Sequence, residues 1–309
     1  MNAGSSVRLH PRITPAILAL LSLWGLAGWW PMLAADAPQW TRVMPMPAAL
    51  LAALLWWIFF SRNRRRTQKL ILLGITAGLI LGFWRDAGGG HRQIHMPDAH
   101  TLRITQWTQA TDTPSQSVLA ELLKEDPPHI LVLTRPTLTQ MDRRQRRQLQ
   151  LTYTLVENQT YILSRYPLQK REDPLLPDTH TVLVELAAPQ GPVQLLALDA
   201  GEQPISSAAI AALASWLSAR PASVPLIIAG GQNRSRTDAI WKPLRTFLRP
   251  AYEVAGYGWP YSWPSPLPLY TRDDIWVTPN LVVLAAAYRS SSHSPHLRQR
   301  IALTWPELP

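Results

Sequence analysis

The chain has 309 residues, a formal net charge of +10 and no cysteine. That length allows one large domain with an appendage, and the missing cysteines exclude disulfides, thiolate nucleophiles and cysteine-based zinc sites. The excess of positive charge points to anionic partners or to arginines placed beside membrane spans.

Residues 1–85 read as a transmembrane anchor. Three apolar runs, near 13–34, 43–60 and 68–84, the last uncharged from Leu70 to Trp84, predict three spans; the third is the shortest for a bilayer core. The loop SRNRRRTQK between the second and third runs is densely basic and reads as cytoplasmic, as do Arg8 and Arg12 ahead of the first. With three spans the remainder is extracytoplasmic; with two it lies on the other side. Seven of the 14 Trp lie within residues 1–85, in or beside these runs, where interfacial belts place them. Residues 86–100, with a triple glycine and scattered His91, His95 and His100, read as a linker; those histidines lack the spacing of a metal-ligand set.

From Thr101 the pattern changes to that of a soluble domain, 101–309. Thr101–Thr108 alternates with period two and predicts a strand; 114–125 and 137–150 have helical spacing, the second with Arg143, Arg144, Arg146 and Arg147 on its surface. Ile130–Thr134 is a short apolar run of the buried-strand type. Hairpins are predicted for 152–156 with 161–164 and for 181–186 with 193–198. A helix is expected over 206–219 and another, interrupted at Pro243, over 237–248. Leu226–Ala229 reads as a buried central strand that ends in Gly230 and Gly231, and 274–277, 281–288 and 300–304 close the domain. Interleaved helices with frequent hairpins predict an α+β domain, two mixed β-sheets packed as a sandwich flanked by helices.

Seven short motifs in this order resemble the endonuclease/exonuclease/phosphatase superfamily over Thr101 to Trp305. They are LRITQWT at 102–108, PHILVLTR at 128–135, YILSRYPL at 161–168, the strand Leu196–Ala200, GGQN at 230–233, RDDIW at 272–276 and SSHSP at 291–295. The resemblance implies hydrolysis of phosphoester bonds with a divalent metal, a hard ion that wants carboxylate oxygens.

Carried onto this chain, the same resemblance leaves three family positions retained: Asn233, Asp273 and His293. The others are substituted: Thr108 stands for the first-strand Asn, Arg135 for the metal-binding Glu, Asp199 for the middle-strand His, Gly231 for the Asp of the GDFN word and Ser292 for the Asp before the final His. A permanent cation at Arg135 opposes a metal there. The resulting expectation is a membrane-anchored, catalytically degenerate relative that needs no cofactor and acts as a binding or scaffold module. Arg135 and Arg165 are its candidate anion-binding residues. Its expected partners are membrane lipids, an anionic or phosphate-bearing ligand, or another membrane protein, rather than nucleic acid. The alternative is an active phosphodiesterase or phosphatase holding Mg²⁺ in a site rebuilt from Asp199, Asp273 and Asp274.

Overall fold

A computed structural model describes residues 101–109, 119–120, 122–123, 127–136, 143–265, 268, 270–290 and 294–306. The expected spans, the linker, Ser292 and His293 lie outside these residues, as do most of the helix expected at 114–125 and the start of that expected at 137–150. Among the described residues no helix is long and apolar enough to cross a membrane. The chain divides between Asp86 and Ala87, and all described residues fall in the second unit, Ala87–Pro309.

Twelve strands form two six-stranded sheets. The first runs β11 (Val282–Arg289), β12 (Arg298–Thr304), β1 (Leu102–Thr108), β2 (Ile130–Thr134), β4 (Thr160–Ser164), β3 (Tyr153–Glu157). The second runs β5 (Leu168–Lys170), β6 (His180–Ala188), β7 (Gly191–Asp199), β8 (Leu226–Gly231), β10 (Asp273–Val277), β9 (Arg249–Pro250). Each sheet is mixed, with one parallel pair: β1 with β2, and β7 with β8. A two-residue turn joins β3 to β4 and another joins β6 to β7, as the hairpin signals require.

The layers follow from the alternation of side chains. Leu102, Ile104, Val132, Val184, Leu195, Ile227, Ala229, Ile275 and Ile301 point between the sheets and form the central core. Leu196, Leu198, Leu226 and Ile228 point the other way and are covered by α2 (Ser207–Ala219) through Ile210, Leu213 and Leu217. Ser206 caps that helix by accepting from the Ala209 amide at 3.1 Å. Leu119, Leu122, Leu149 and Leu151 cover the outer face of the first sheet, beside α1 (Arg143–Gln148). Two mixed sheets flanked by helices are thus the architecture the alternating pattern predicts.

Three local readings are corrected. The helix expected over 237–248 is a 3₁₀ turn, Ala239–Leu244, because Pro243 removes an amide donor and crowds the preceding turn. The strands β5 and β9 and the helix α3 (Ala251–Ala255) carry too few residues to show a period. The central strand also runs two residues further than its apolar run, through both glycines. Gly230 has φ +148°, and a Cβ there would lie 1.9 Å from the Leu198 carbonyl oxygen, so the backbones of β7 and β8 need glycine to approach. The three atoms nearest a Cβ at Gly231 would be side-chain oxygens, at 3.3 to 3.5 Å. Replacement of Gly230 by alanine is therefore expected to cost about 3 kcal/mol or more, and replacement of Gly231 by alanine about 1 kcal/mol, in denaturant unfolding; equal costs would refute the close-approach explanation.

Candidate functional site

Sheet register gathers the site. β1, β2, β7 and β8 end at one edge of the sandwich, and β10 begins there. Thr108 lies opposite Thr134 across the β1–β2 pair. Asp199 lies opposite Gly231, which in turn lies opposite Asp273. The point where a Gly231 Cβ would sit is 3.3 Å from Thr108 Oγ1 and 3.5 Å from an oxygen of each of Asp199 and Asp273. The glycine is thus the centre of a ring of polar side chains from three strands.

One side of the ring is an ion pair. Arg135 donates to Asp199 from Nε at 3.0 Å and from Nη2 at 2.9 Å, a two-pronged geometry that suits a carboxylate. The Asp199 side chain is 2% exposed and that of Arg135 23%. Asp199 also accepts from the Gly201 amide at 3.0 Å. Burial by itself would lower the pKa of Arg135, but its hydrogen bond to Asp199 and the charges of Asp199, Asp273 and Glu202 outweigh that and raise it. Arg135 sits in the left-handed region, φ 49°, which costs a non-glycine residue energy that surrounding contacts must offset.

The other side is a carboxylate–imidazole pair. His296 Nδ1 lies 2.6 Å from Asp273 Oδ2. Asp273 also accepts from Thr108 Oγ1 at 2.5 Å and from Ser262 Oγ at 3.2 Å. Because the Thr108 proton goes to Asp273, Thr108 accepts from Thr134, 2.7 Å away, and from Gln106. The His296 backbone is held in turn: its amide donates to Ser294 Oγ, whose hydroxyl donates to the Thr108 carbonyl. Nε2 of His296 has no hydrogen-bond partner among the described residues.

His296 is the residue that sequence matching missed. The SSHSP word selected His293, which lies outside the described residues, whereas the histidine three positions later reaches Asp273. The available signal was position: His296 is two residues before β12, close enough to its start to sit at the sheet edge. Asn233, also with positive φ (51°), uses its side-chain amide to donate to the Gly201 carbonyl, and its backbone amide donates to Arg272 O at 2.8 Å. It stitches the end of β8 to the end of β7.

Two expectations about the site are overturned. Arg165 follows β4, which is antiparallel to β2, with Ser164 opposite Ile130 and Thr160 opposite Thr134. Its amide donates to His129 O, at the start of β2, while Arg135 follows the end of β2. The two arginines therefore lie at opposite ends of the sheet and cannot share one anion. Nor do Asp199, Asp273 and Asp274 converge. Asp274 accepts from Gln299 Nε2 at 2.9 Å and Tyr288 Oη at 3.2 Å, and lies 3.4 Å from Arg236 Nε, away from the ring. Among the described residues no three His, Asp or Glu side chains gather as a metal-ligand set.

Beside the ring, the aromatic loop packs on itself. Trp259 donates to Pro268 O at 2.6 Å and meets Tyr261 edge-on, and Arg272 lies over the Trp263 ring at 4.4 Å.

No protein-family profile matches the chain, and no curated protein matches its sequence. Solved structures do. An endonuclease/exonuclease/phosphatase from Beutenbergia cavernae DSM 12333 is 18% identical, with TM-score 0.48 over 67% of this chain and 72% of that one. A family protein of the same description from Bacteroides thetaiotaomicron is 11% identical, TM-score 0.49, over 67% and 99%. The human Nocturnin catalytic domain, with bound sulfate, is 18% identical, TM-score 0.48, over 67% and 95%. Similarity at this level is a likeness of fold and carries no chemistry across.

The ion pair makes a stability prediction. Removing Arg135 leaves Asp199 buried with one backbone donor, so Arg135→Ala is expected to cost about 2 kcal/mol, below the usual range for fully buried pairs because the guanidinium is partly solvated. Adding Asp199→Asn should restore about 1 kcal/mol of this in a double-mutant cycle; strictly additive losses would show that the two side chains do not depend on each other.

Proposed function

We propose that this chain is a membrane-anchored protein whose 101–309 domain keeps a phosphoesterase-like fold but works without a divalent metal, as a binding or scaffold module for an anionic ligand or a membrane partner. The observation that carries the proposal is the Arg135–Asp199 pair. A hard cation such as Mg²⁺ needs several free carboxylate and carbonyl oxygens around it. Here a guanidinium covers Asp199, three donors cover Asp273, Gly231 offers no side chain, and Asn233 turns its amide to Gly201. The donor set does not fit a divalent cation. Anchoring draws its support from the three apolar runs and the basic block between the second and third.

One observation favours a second reading, an esterase that remains active. Asp273 and His296 are buried, paired and braced by Thr108 and Ser262, with Nε2 left without a protein partner. Such a pair can hold a base in one tautomer and orientation.

Thermal unfolding of the full-length protein in detergent, with millimolar Mg²⁺ or Mn²⁺ and with EDTA, separates the readings. A metal bound only by the folded state at a hundred times its dissociation constant adds about 2.7 kcal/mol, a rise of about 5–10 °C for a domain this size. No shift with either metal or with EDTA, and no release of nitrophenol from bis-nitrophenyl phosphate with or without metal, is the expected outcome. Turnover, with or without a metal-dependent rise, would overturn the proposal in favour of the esterase.

A further inference from the structure

The described residues hold several arginines, and most are engaged. Ion pairs occupy Arg135, Arg171, Arg234, Arg236 and Arg245. The helix α1, RRQRRQ, is different. Arg143, Arg144 and Arg147 are exposed and make no ion pair or hydrogen bond among the described residues, while Gln145 is turned inward. The stretch 137–152 contains a single acid, Asp142.

Helix stability does not account for this placement. Cations are favourable in the last turn, where Arg146 and Arg147 sit, but unfavourable in the first, which here holds Arg143 and Arg144 with no acidic residue. Arg146 does structural work by donating to Thr154 Oγ1 at 2.7 Å, which fixes α1 against the edge strand β3. Val156 stands on the same strand face as Thr154 and is 43% exposed, and Tyr153 at the start of β3 is 41% exposed. Three guanidinium groups without an ion pair among the described residues, on a helix tied by Arg146 to an edge strand that exposes Val156 on the same face, form a surface with a charged part and a greasy part.

We infer that the α1–β3 surface docks on an anionic phospholipid surface, with Arg143, Arg144 and Arg147 on the headgroup phosphates and Val156 at the acyl boundary. Phosphate favours arginine through its two-pronged geometry, and juxtaposed apolar side chains strengthen attachment to a bilayer. A nucleic acid would match the charge but would gain nothing from Val156, and the apolar runs ahead of the domain already commit this chain to a lipid environment in the proposed reading. The inference rests on the membrane part of that reading and not on the metal-free ring, so the metal titration above stands or falls separately.

The test uses the full-length protein in phosphatidylcholine nanodiscs, mixed with separate vesicles of phosphatidylcholine with or without phosphatidylglycerol and followed by co-flotation. Flotation with the phosphatidylglycerol vesicles alone is expected, with loss at molar salt, where charges are screened beyond about 3 Å. The variant R143E/R144E/R147E should bind those vesicles at least about a hundredfold more weakly while melting at the wild-type temperature, since each basic residue near such a surface contributes about fivefold. A tryptophan placed by Val156→Trp should add a blue-shifted emission component, relative to the unsubstituted protein, only with the anionic vesicles. Equal flotation with both vesicle types, no flotation at all, or unchanged binding by the triple variant would overturn the inference. So would a duplex oligonucleotide that binds through the same arginines and displaces the vesicles.

Discussion

A carboxylate buried at the end of a strand must be neutralised, and Asp199 sets that demand for the whole site. Its side chain is 2% exposed, and the charge it brings has to be met within its own end of the sheet. Arg135 meets it with two donors, from a backbone position that a residue other than glycine adopts at a cost. The Gly201 amide and the Asn233 side chain complete the same corner by closing the ends of β7 and β8 on each other. The loop after β2, the end of β7 and the end of β8 are therefore held by one electrostatic requirement.

Glycine makes the requirement satisfiable. At Gly230 two backbones approach too closely for any side chain, and at Gly231 the absent side chain leaves room for the ring of Thr108, Asp199 and Asp273. With a carboxylate at position 231 the ring would hold three negative charges around one guanidinium. As the chain stands, two carboxylates face one arginine and one histidine, and each carboxylate has its own partner. A second buried pair stands apart from the first: Arg236, over the faces of Tyr252 and Tyr288, balances Asp274. Burial holds the Asp274 carboxyl above the usual carboxylate range and pushes Tyr252 up to about 12, as expected where charge is tolerated only through a specific partner. The two networks use adjacent residues of β10, Asp273 and Asp274, and hold the two sheets and the aromatic loop together at this end.

This arrangement bears on where an anion could bind. Inside the ring the Arg135 charge is already balanced by Asp199 and flanked by Asp273. Arg143, Arg144 and Arg147, which make no ion pair among the described residues, are on the outside, on α1. The polar end of the sandwich and the basic helix are then separate features: the first is a closed network, and the second is an open surface.

The sequence by itself determined the layers and most strands. Period-two alternation in Leu102–Thr108, the apolar runs at Ile130–Thr134 and Leu226–Ala229, and the turn residues between paired strands fix which side chains face which core, because a strand has only two faces. It also singled out Thr108, Arg135, Asp199, Gly231 and Asp273, all of which meet at one end of the sandwich. It misjudged reach. Arg165 carries the same charge as Arg135, but antiparallel pairing of β4 with β2 sends it to the far end of the sheet, and no local pattern states the direction of a pairing. Asp274 follows Asp273 directly, yet it turns to Arg236 and Gln299. The histidine that completes the Asp273 pair is His296, because the path of the chain into β12 brings that residue, three after the motif match, to the sheet edge. Residue types and their periods are local properties, legible along the chain; which charge meets which depends on contacts between residues far apart along it, 23 positions for His296 with Asp273 and 64 for Arg135 with Asp199, and only the tertiary structure decides those.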